Sequence, residues 1–180
     1  MEPDVSLRRT TVALLAAAGA LALPAAAAAA PAPSPGRALA RDSLLWATVN
    51  VCDTTGYPDG IGIRGSMPGG GDRRQTMFMR LEVQFFHPSD RRWVRVGKAG
   101  DSGFLELGHG AARARQAGRT FTVMPPPAGR PAYLMRGRVT YEWRRDGAVA
   151  RRAQRLTTAG HLGTPGADPA DFTAATCSIA

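Results

Sequence analysis

Residues 76–87, TMFMRLEVQFFH, alternate without interruption. Met77, Met79, Leu81, Val83 and Phe85 fall on one side, and Phe78, Arg80, Glu82, Gln84 and Phe86 on the other. A period of two belongs to a β-strand with one buried face, because successive side chains point to opposite sides of the pleat. Such a strand needs neighbours for its backbone groups and a second layer for its apolar side. Residues 133–143 repeat the pattern. Tyr133, Met135, Val139, Tyr141 and Trp143 share one face, and Leu134, Arg136, Arg138, Thr140 and Glu142 the other.

Turn chemistry separates further strands. Residues 44–52 alternate, with Leu45, Ala47, Val49 and Val51 opposite Trp46, Thr48, Asn50 and Cys52. A turn-rich loop over 53–60 leads to a short strand at Ile61 and Ile63. Trp93, Val94 and Val96 return from a Pro88-Ser89-Asp90 turn, and further strands are expected over 103–108 and 120–124. Residues 125–131, PPPAGRP, stop the last of these and read as a stiff bridge between sheets, or as a ligand for a proline-binding module. Asp146-Gly147 predicts a tight hairpin, since a type I′ turn requires positive φ at both central residues. In the simplest register Glu142 faces Arg151, and Arg136, Arg138, Arg144, Arg151 and Arg155 gather on one basic face. A last strand is expected within 172–179, and a turn or two of helix is the only helical expectation, near 110–118. Roughly eight short strands with turns between them, in a chain of 21 glycines and 14 prolines, predict an all-β domain over 44–180. The expected form is a two-sheet β-sandwich, immunoglobulin- or fibronectin-like; a closed β-barrel is the alternative.

The first residues set the compartment. Arg8 and Arg9 precede an uncharged run over 12–23, then Pro24 and six alanines. A basic start, a short apolar run and small residues describe a secretory signal peptide over 1–30, followed by a disordered Pro/Ala linker over 31–43. The protein is therefore expected to be secreted or envelope-associated, with no membrane span once the signal is removed. Cys52 and Cys177 are the only two cysteines. No C-x-x-C or neighbouring soft ligand supports a redox or metal site, so in an oxidising compartment they are expected to form one disulfide. Closing so long a loop is worth up to ~5 kcal/mol in the chain-entropy model.

Candidate chemistry is sparse. His87, His109 and His161 are widely spaced and lack metal-ligand patterns. Ser66 stands in a glycine-rich turn, out of place for a nucleophile elbow. Asp53, Asp59 and Asp72 flank loops, where calcium is a minor alternative to turn formation. Gly69-Gly70-Gly71 lacks the G-K-[ST] of a phosphate loop. No catalytic residue, metal or cofactor is expected. The formal charge is +9 and Lys98 is the only lysine. Arginine this abundant reflects a GC-rich coding bias or a surface for anions.

The block Trp46-Ala47-Thr48-Val49-Asn50-Val51-Cys52-Asp53 is followed by Ile61-Gly62-Ile63-Arg64-Gly65-Ser66-Met67-Pro68-Gly69. With residues 140–145 and the ending Ala174-Ala175-Thr176-Cys177, it resembles a group of uncharacterised secreted proteins of high-GC Gram-positive bacteria. The resemblance implies an exported domain with a shared disulfide, and no activity. The expected role is non-enzymatic binding in the envelope or outside the cell. Partners would be an anionic envelope polymer, lipid head groups or another extracellular protein, rather than nucleic acid. A secreted hydrolase with a site assembled from distant residues is the alternative.

Overall fold

The computed structural model describes residues 43–180. The signal-peptide and linker expectations over 1–42 lie outside the described residues. Nine strands follow in order: β1 (Trp46–Thr54), β2 (Tyr57–Pro68), β3 (Gln75–His87), β4 (Arg92–Arg95), β5 (Asp101–His109), β6 (Ala114–Thr122), β7 (Tyr133–Arg145), β8 (Ala148–Leu156) and β9 (Cys177–Ile179). One 3-10 turn, Lys98–Gly100, lies between β4 and β5. The chain is all-β among the described residues.

The strands form two antiparallel sheets in a sandwich-like arrangement. Sheet A has the order β1-β2-β6. Sheet B is built on the β3–β7 pair, with β4 and β5 sharing the far side of β3, and β8 and β9 sharing the far side of β7. The chain passes from A to B after β2, back after β5, and to B again over residues 123–132. The proline-rich bridge therefore carries the chain between sheets.

The alternation places the core. Met77, Met79, Leu81 and Val83 of β3, with Met135, Val139, Tyr141 and Trp143 of β7, pack against Ala47, Val49, Ile61, Ile63 and Met67 of sheet A. The two large aromatics carry polar atoms into this layer, and both find backbone carbonyls of sheet A. Tyr141 Oη donates to the Trp46 carbonyl at 2.5 Å, and Trp143 Nε1 to that of Pro68 at 2.8 Å. Gly65 makes room for this: a Cβ there would lie 2.9 Å from both Tyr141 Oη and Met79 Sδ.

Three local expectations change. Residues 53–60 are not a loop, for β1 and β2 run to a tight turn closed by the Thr54–Tyr57 pair. Residues 114–118 are strand rather than helix, because β6 pairs with β2 along its whole length. In β1, a bulge at Asn50 pairs Val49 with Ile63 but Val51 with Gly62. One inserted residue reverses the facing of everything after it. It turns Cys52 inward, where it is bonded to Cys177, with Cα atoms 5.4 Å apart.

That disulfide joins sheet A to the final strand of sheet B. The same edge of β1 is covered by the segment before β9. Thr158 N–H donates to Ala47 O at 2.8 Å, Asp168 N–H to Asn50 O at 2.9 Å, and Val49 and Ala174 exchange bonds of 2.9 and 3.0 Å. Cys52→Ala should lower the melting temperature, with a loss of ~2–4 kcal/mol. Thermal unfolding of the oxidised protein and the variant measures it. Reducing agent should lower the parent toward the variant and leave the variant unchanged.

Candidate functional site

The outer face of sheet B carries the densest charge. Its two central carboxylates are buried: Glu82 is 4% exposed and Glu142 is fully covered. Both are enclosed by arginines. Arg138 donates to Glu82 Oε2 at 2.8 Å, and Arg95 approaches Oε1 at 3.4 Å. Arg144 and Arg152 donate to opposite oxygens of Glu142, each through Nε at 2.8 Å. Arg80 grips Asp101 in two bonds. Aromatic rings complete the layer. The Arg136 guanidinium lies 4.1 Å from the Trp93 ring centre, and that of Arg144 lies 4.2 Å from Phe78 and 4.9 Å from Phe104. This explains Phe78 on an otherwise polar face, since a guanidinium stacks well on a ring.

The predicted basic face is divided by the fold. Arg136, Arg138 and Arg144 share the outer surface. Arg151 and Arg155 lie on the opposite side, where Arg151 covers Trp143 at 4.5 Å and Arg155 pairs with Val139. The turn itself is as expected, with Asp146 and Gly147 both at positive φ (51° and 80°). Beyond it, however, β8 bulges at Ala150, so Trp143 pairs with Arg151 while Arg144 pairs with Val149. Arg152, rather than Arg151, therefore meets Glu142. The extra residue moves each later side chain to the other face, and it sets Ala153 rather than Arg152 beside the buried Tyr141, where a charged group would be costly, which favours the bulged register. What remains is a layer in which five arginines are paired with three carboxylates and Arg136 is held by Gln84 and Trp93, so the face keeps a positive balance but its guanidinium groups are largely engaged. Burial pushes the Glu142 carboxyl up, but the bonds and charges of Arg144 and Arg152 outweigh it and hold it below the usual carboxylate range. The hydrogen bond from Arg80 does the same for Asp101.

An apolar groove opens where the end of β6 approaches sheet B. It encloses about 510 Å³ between Phe85, Val96, Ala99, Val123, Met124, Tyr133 and Met135, with Arg95 and Thr122 at its lip. A second hollow of about 480 Å³ shares Phe85 and Tyr133 and runs under the proline-rich bridge toward His87 and Arg130. Met124 is 87% exposed at the edge. No motif announces this site. Its lining comes from four separated segments, and the only sequence signal is Val123-Met124 ahead of three prolines, a strand end left with apolar residues.

The remaining candidates are accounted for locally, His109 as the exposed last residue of β5, paired with Thr76. His161 stacks on Trp46 at 4.5 Å and meets Thr158 Oγ1 at 3.0 Å. His87 lies 3.3 Å from Ser89 Oγ and 3.5 Å from Asp90, but both contacts fall on Nδ1. A serine–histidine–carboxylate relay needs one partner on each ring nitrogen, so this exposed turn is not one. Asp53 accepts from the Asp59 N–H, and Asp72 from that of Arg74, each at 2.9 Å, so both act as turn formers. Ser66 is buried in β2. Among the described residues no cluster of three His, Cys, Asp or Glu side chains is placed to hold a metal ion. At the other end of β3, Arg145, Arg151, Gln75 and Trp143 line a smaller hollow of about 260 Å³, where Arg145 is paired with Asp72.

Neither a search of protein-family models nor one of curated proteins finds a match to this chain.

Glu142→Gln should destabilise the fold by ~2 kcal/mol at pH 7, because it leaves two guanidinium groups short of a charged acceptor. The native carboxyl titrates below its unfolded value of about 4.3. Its contribution is therefore complete above that value and is lost as pH falls through the lower native one. The gap between parent and variant should narrow on going from pH 7 to pH 3, and urea unfolding at both pH values measures it.

Proposed function

We propose that this chain is an exported, non-enzymatic binding module, and that its binding site is the open flank of the sandwich formed by the groove and the edge of β6. The groove carries this reading. A concave site of several hundred Å³ with mostly apolar walls and a few polar groups at the lip is the form that ligand sites take. In this proposal the fold serves as an immunoglobulin- or fibronectin-like scaffold, with the packed sheets holding the flank rigid. The disulfide is compatible with an oxidising compartment. No helix among the described residues is long and apolar enough to cross a membrane.

Another extracellular protein is a better partner for this flank than an anionic wall polymer or lipid head groups. On the broad face of sheet B five arginines are engaged by Glu82, Glu142 and Asp101, and Arg136 is held by Gln84 and Trp93, so few guanidinium groups there are left open to an anion although the face keeps a positive balance. The hydrolase alternative is weaker, because the histidines are dispersed and His87 has both neighbours on one nitrogen.

The neutral apolar dye N-phenyl-1-naphthylamine should brighten on adding the protein. Val123→Arg, in the wall of the groove, should weaken that binding by about tenfold or more, as expected for loss of one half-buried aliphatic contact and a charge in its place. The circular dichroism of the variant should remain that of the parent. Dye binding equal in parent and variant would remove the groove as the site.

A further inference from the structure

The sheet edges of this domain are treated unequally. The outer edge of β1 is covered by the segment running to Ala174. On the far side of β3, β4 has only four residues, and β5 is broken by two register shifts. On the far side of β7, β8 is bulged and carries Arg151, Arg152 and Arg155. Short strands, bulges, charge and coverage are the usual means of closing an edge to further pairing. β6 is the exception. Its nine residues pair with Gly60–Pro68 of β2 in one unbroken register, and among the described residues it has no other strand partner. In an antiparallel ladder alternate residues direct both N–H and C=O away from the paired neighbour. The outer side of β6 is therefore a regular row of backbone donors and acceptors, and most of its residues are exposed.

The side chains of that row have an order. Arg115, Ala117, Arg119 and Phe121 share the side that looks toward sheet B, and Phe121 at 4% exposure leads directly into Val123 and the groove. No carboxylate among the described residues pairs with Arg115 or Arg119; the Arg119 guanidinium lies 5.8 Å from the Phe121 ring centre. Two copies of β6 in an antiparallel register centred on Ala117 would set Arg115 of one against Arg119 of the other, and like charges directly opposite are destabilising, whereas full overlap, centred on Gly118, would set Arg115 against Phe121. An acidic strand meets the same positions favourably.

We infer that β6 accepts an extended acidic segment of an extracellular protein partner, which adds as a fourth strand to sheet A with carboxylates opposite Arg115 and Arg119 and an apolar side chain in the groove. This rests on the proposal that the flank is the binding site. Main-chain bonds would supply affinity, and the two arginines and the groove would supply specificity, the division of labour found in strand addition generally.

The test uses the full chain and a fluorescent peptide, Ile-Thr-Val-Thr-Glu-Thr-Ala-Thr-Glu, followed by anisotropy. The order places glutamates opposite the arginines and apolar residues opposite Phe121 and Val123. The peptide should bind. Methylating its alternate backbone nitrogens should abolish binding in one phase and spare it in the other, since only one set of N–H groups faces β6. Arg115→Glu with Arg119→Glu should weaken binding at least about tenfold, and a peptide with lysine for both glutamates should bind that variant instead. Equal effects of the two methylation phases, or indifference to charge reversal, would overturn the inference. So would a dimer of the full chain that occupies the edge, or peptide binding that begins only after residues 1–42 are removed. Dye binding without peptide binding would overturn this inference and leave the groove standing. Peptide binding that survives replacement of its isoleucine and valine by threonine, in a protein that does not bind the dye, would remove the groove and keep the strand.

Discussion

The sandwich depends on Tyr141 and Trp143, which lie two residues apart on β7 and cross the interlayer space side by side. Each fills volume that small aliphatics could not, and each delivers a polar atom to a backbone carbonyl of sheet A. Burial without those acceptors would leave a hydroxyl and an indole N–H unsatisfied, at ~1–3 kcal/mol each. The bonds thus fix how the sheets face one another. Tyr141 meets the first residue of β1 and Trp143 the last residue of β2, so two contacts set the position of a hairpin. Gly65 stands between them because the tyrosine hydroxyl needs the space of its missing side chain. Burial also pushes the Tyr141 phenol upward, so the donor stays protonated over any pH at which the protein would work.

The disulfide secures the part of sheet A that these aromatics do not reach. β1 has sheet partners on one edge only, and its other edge is held by irregular chain. Tying Cys52 to Cys177 keeps that chain folded against it, so the covering segment and the covalent link act as one device. The Asn50 bulge is its precondition. Without the inserted residue Cys52 would share the outward face with Trp46 and Thr48, and no link to the core strand could form.

How much of this was legible from residues follows from which forces leave a pattern. β3 and β7 bury one face and wet the other, so their alternation is plain, and the core side chains fall where alternation places them. The hairpin at Asp146-Gly147 was equally legible, because positive φ at two consecutive positions selects those residue types. Bulges were not. Asn50 and Ala150 are set by what their strands must meet, a cysteine in one case and the buried ring of Tyr141 in the other, and neither need is local. One residue of slip was enough to exchange Arg151 for Arg152 on the outer face. β6 was half missed for a related reason: ARQAGRTFT buries Phe121 alone, so it carries almost no periodic signal and could pass for a helical turn. The groove was illegible because it is a place between segments rather than a property of any one.

The strand that left the weakest trace is also the one whose edge stays open, and the two facts have one cause. A strand that lies at a margin and packs little is free of the constraint that writes alternation into a sequence. What it keeps instead is charge. Five arginines of the central face, Arg80, Arg95, Arg138, Arg144 and Arg152, are spent on Glu82, Glu142 and Asp101, where they offset the cost of burying carboxylates. Arg115 and Arg119 have no such duty. If they served only solubility, their positions along β6 would be of little consequence. Placed on the groove side and two pleats apart, they leave a spacing that an acidic strand can match. A positive net charge spread over a whole surface would repel another copy of this chain and attract anions generally. Concentrated along one unpaired ladder beside an apolar hollow, it would distinguish among extended chains, which is a more specific use of the same residues.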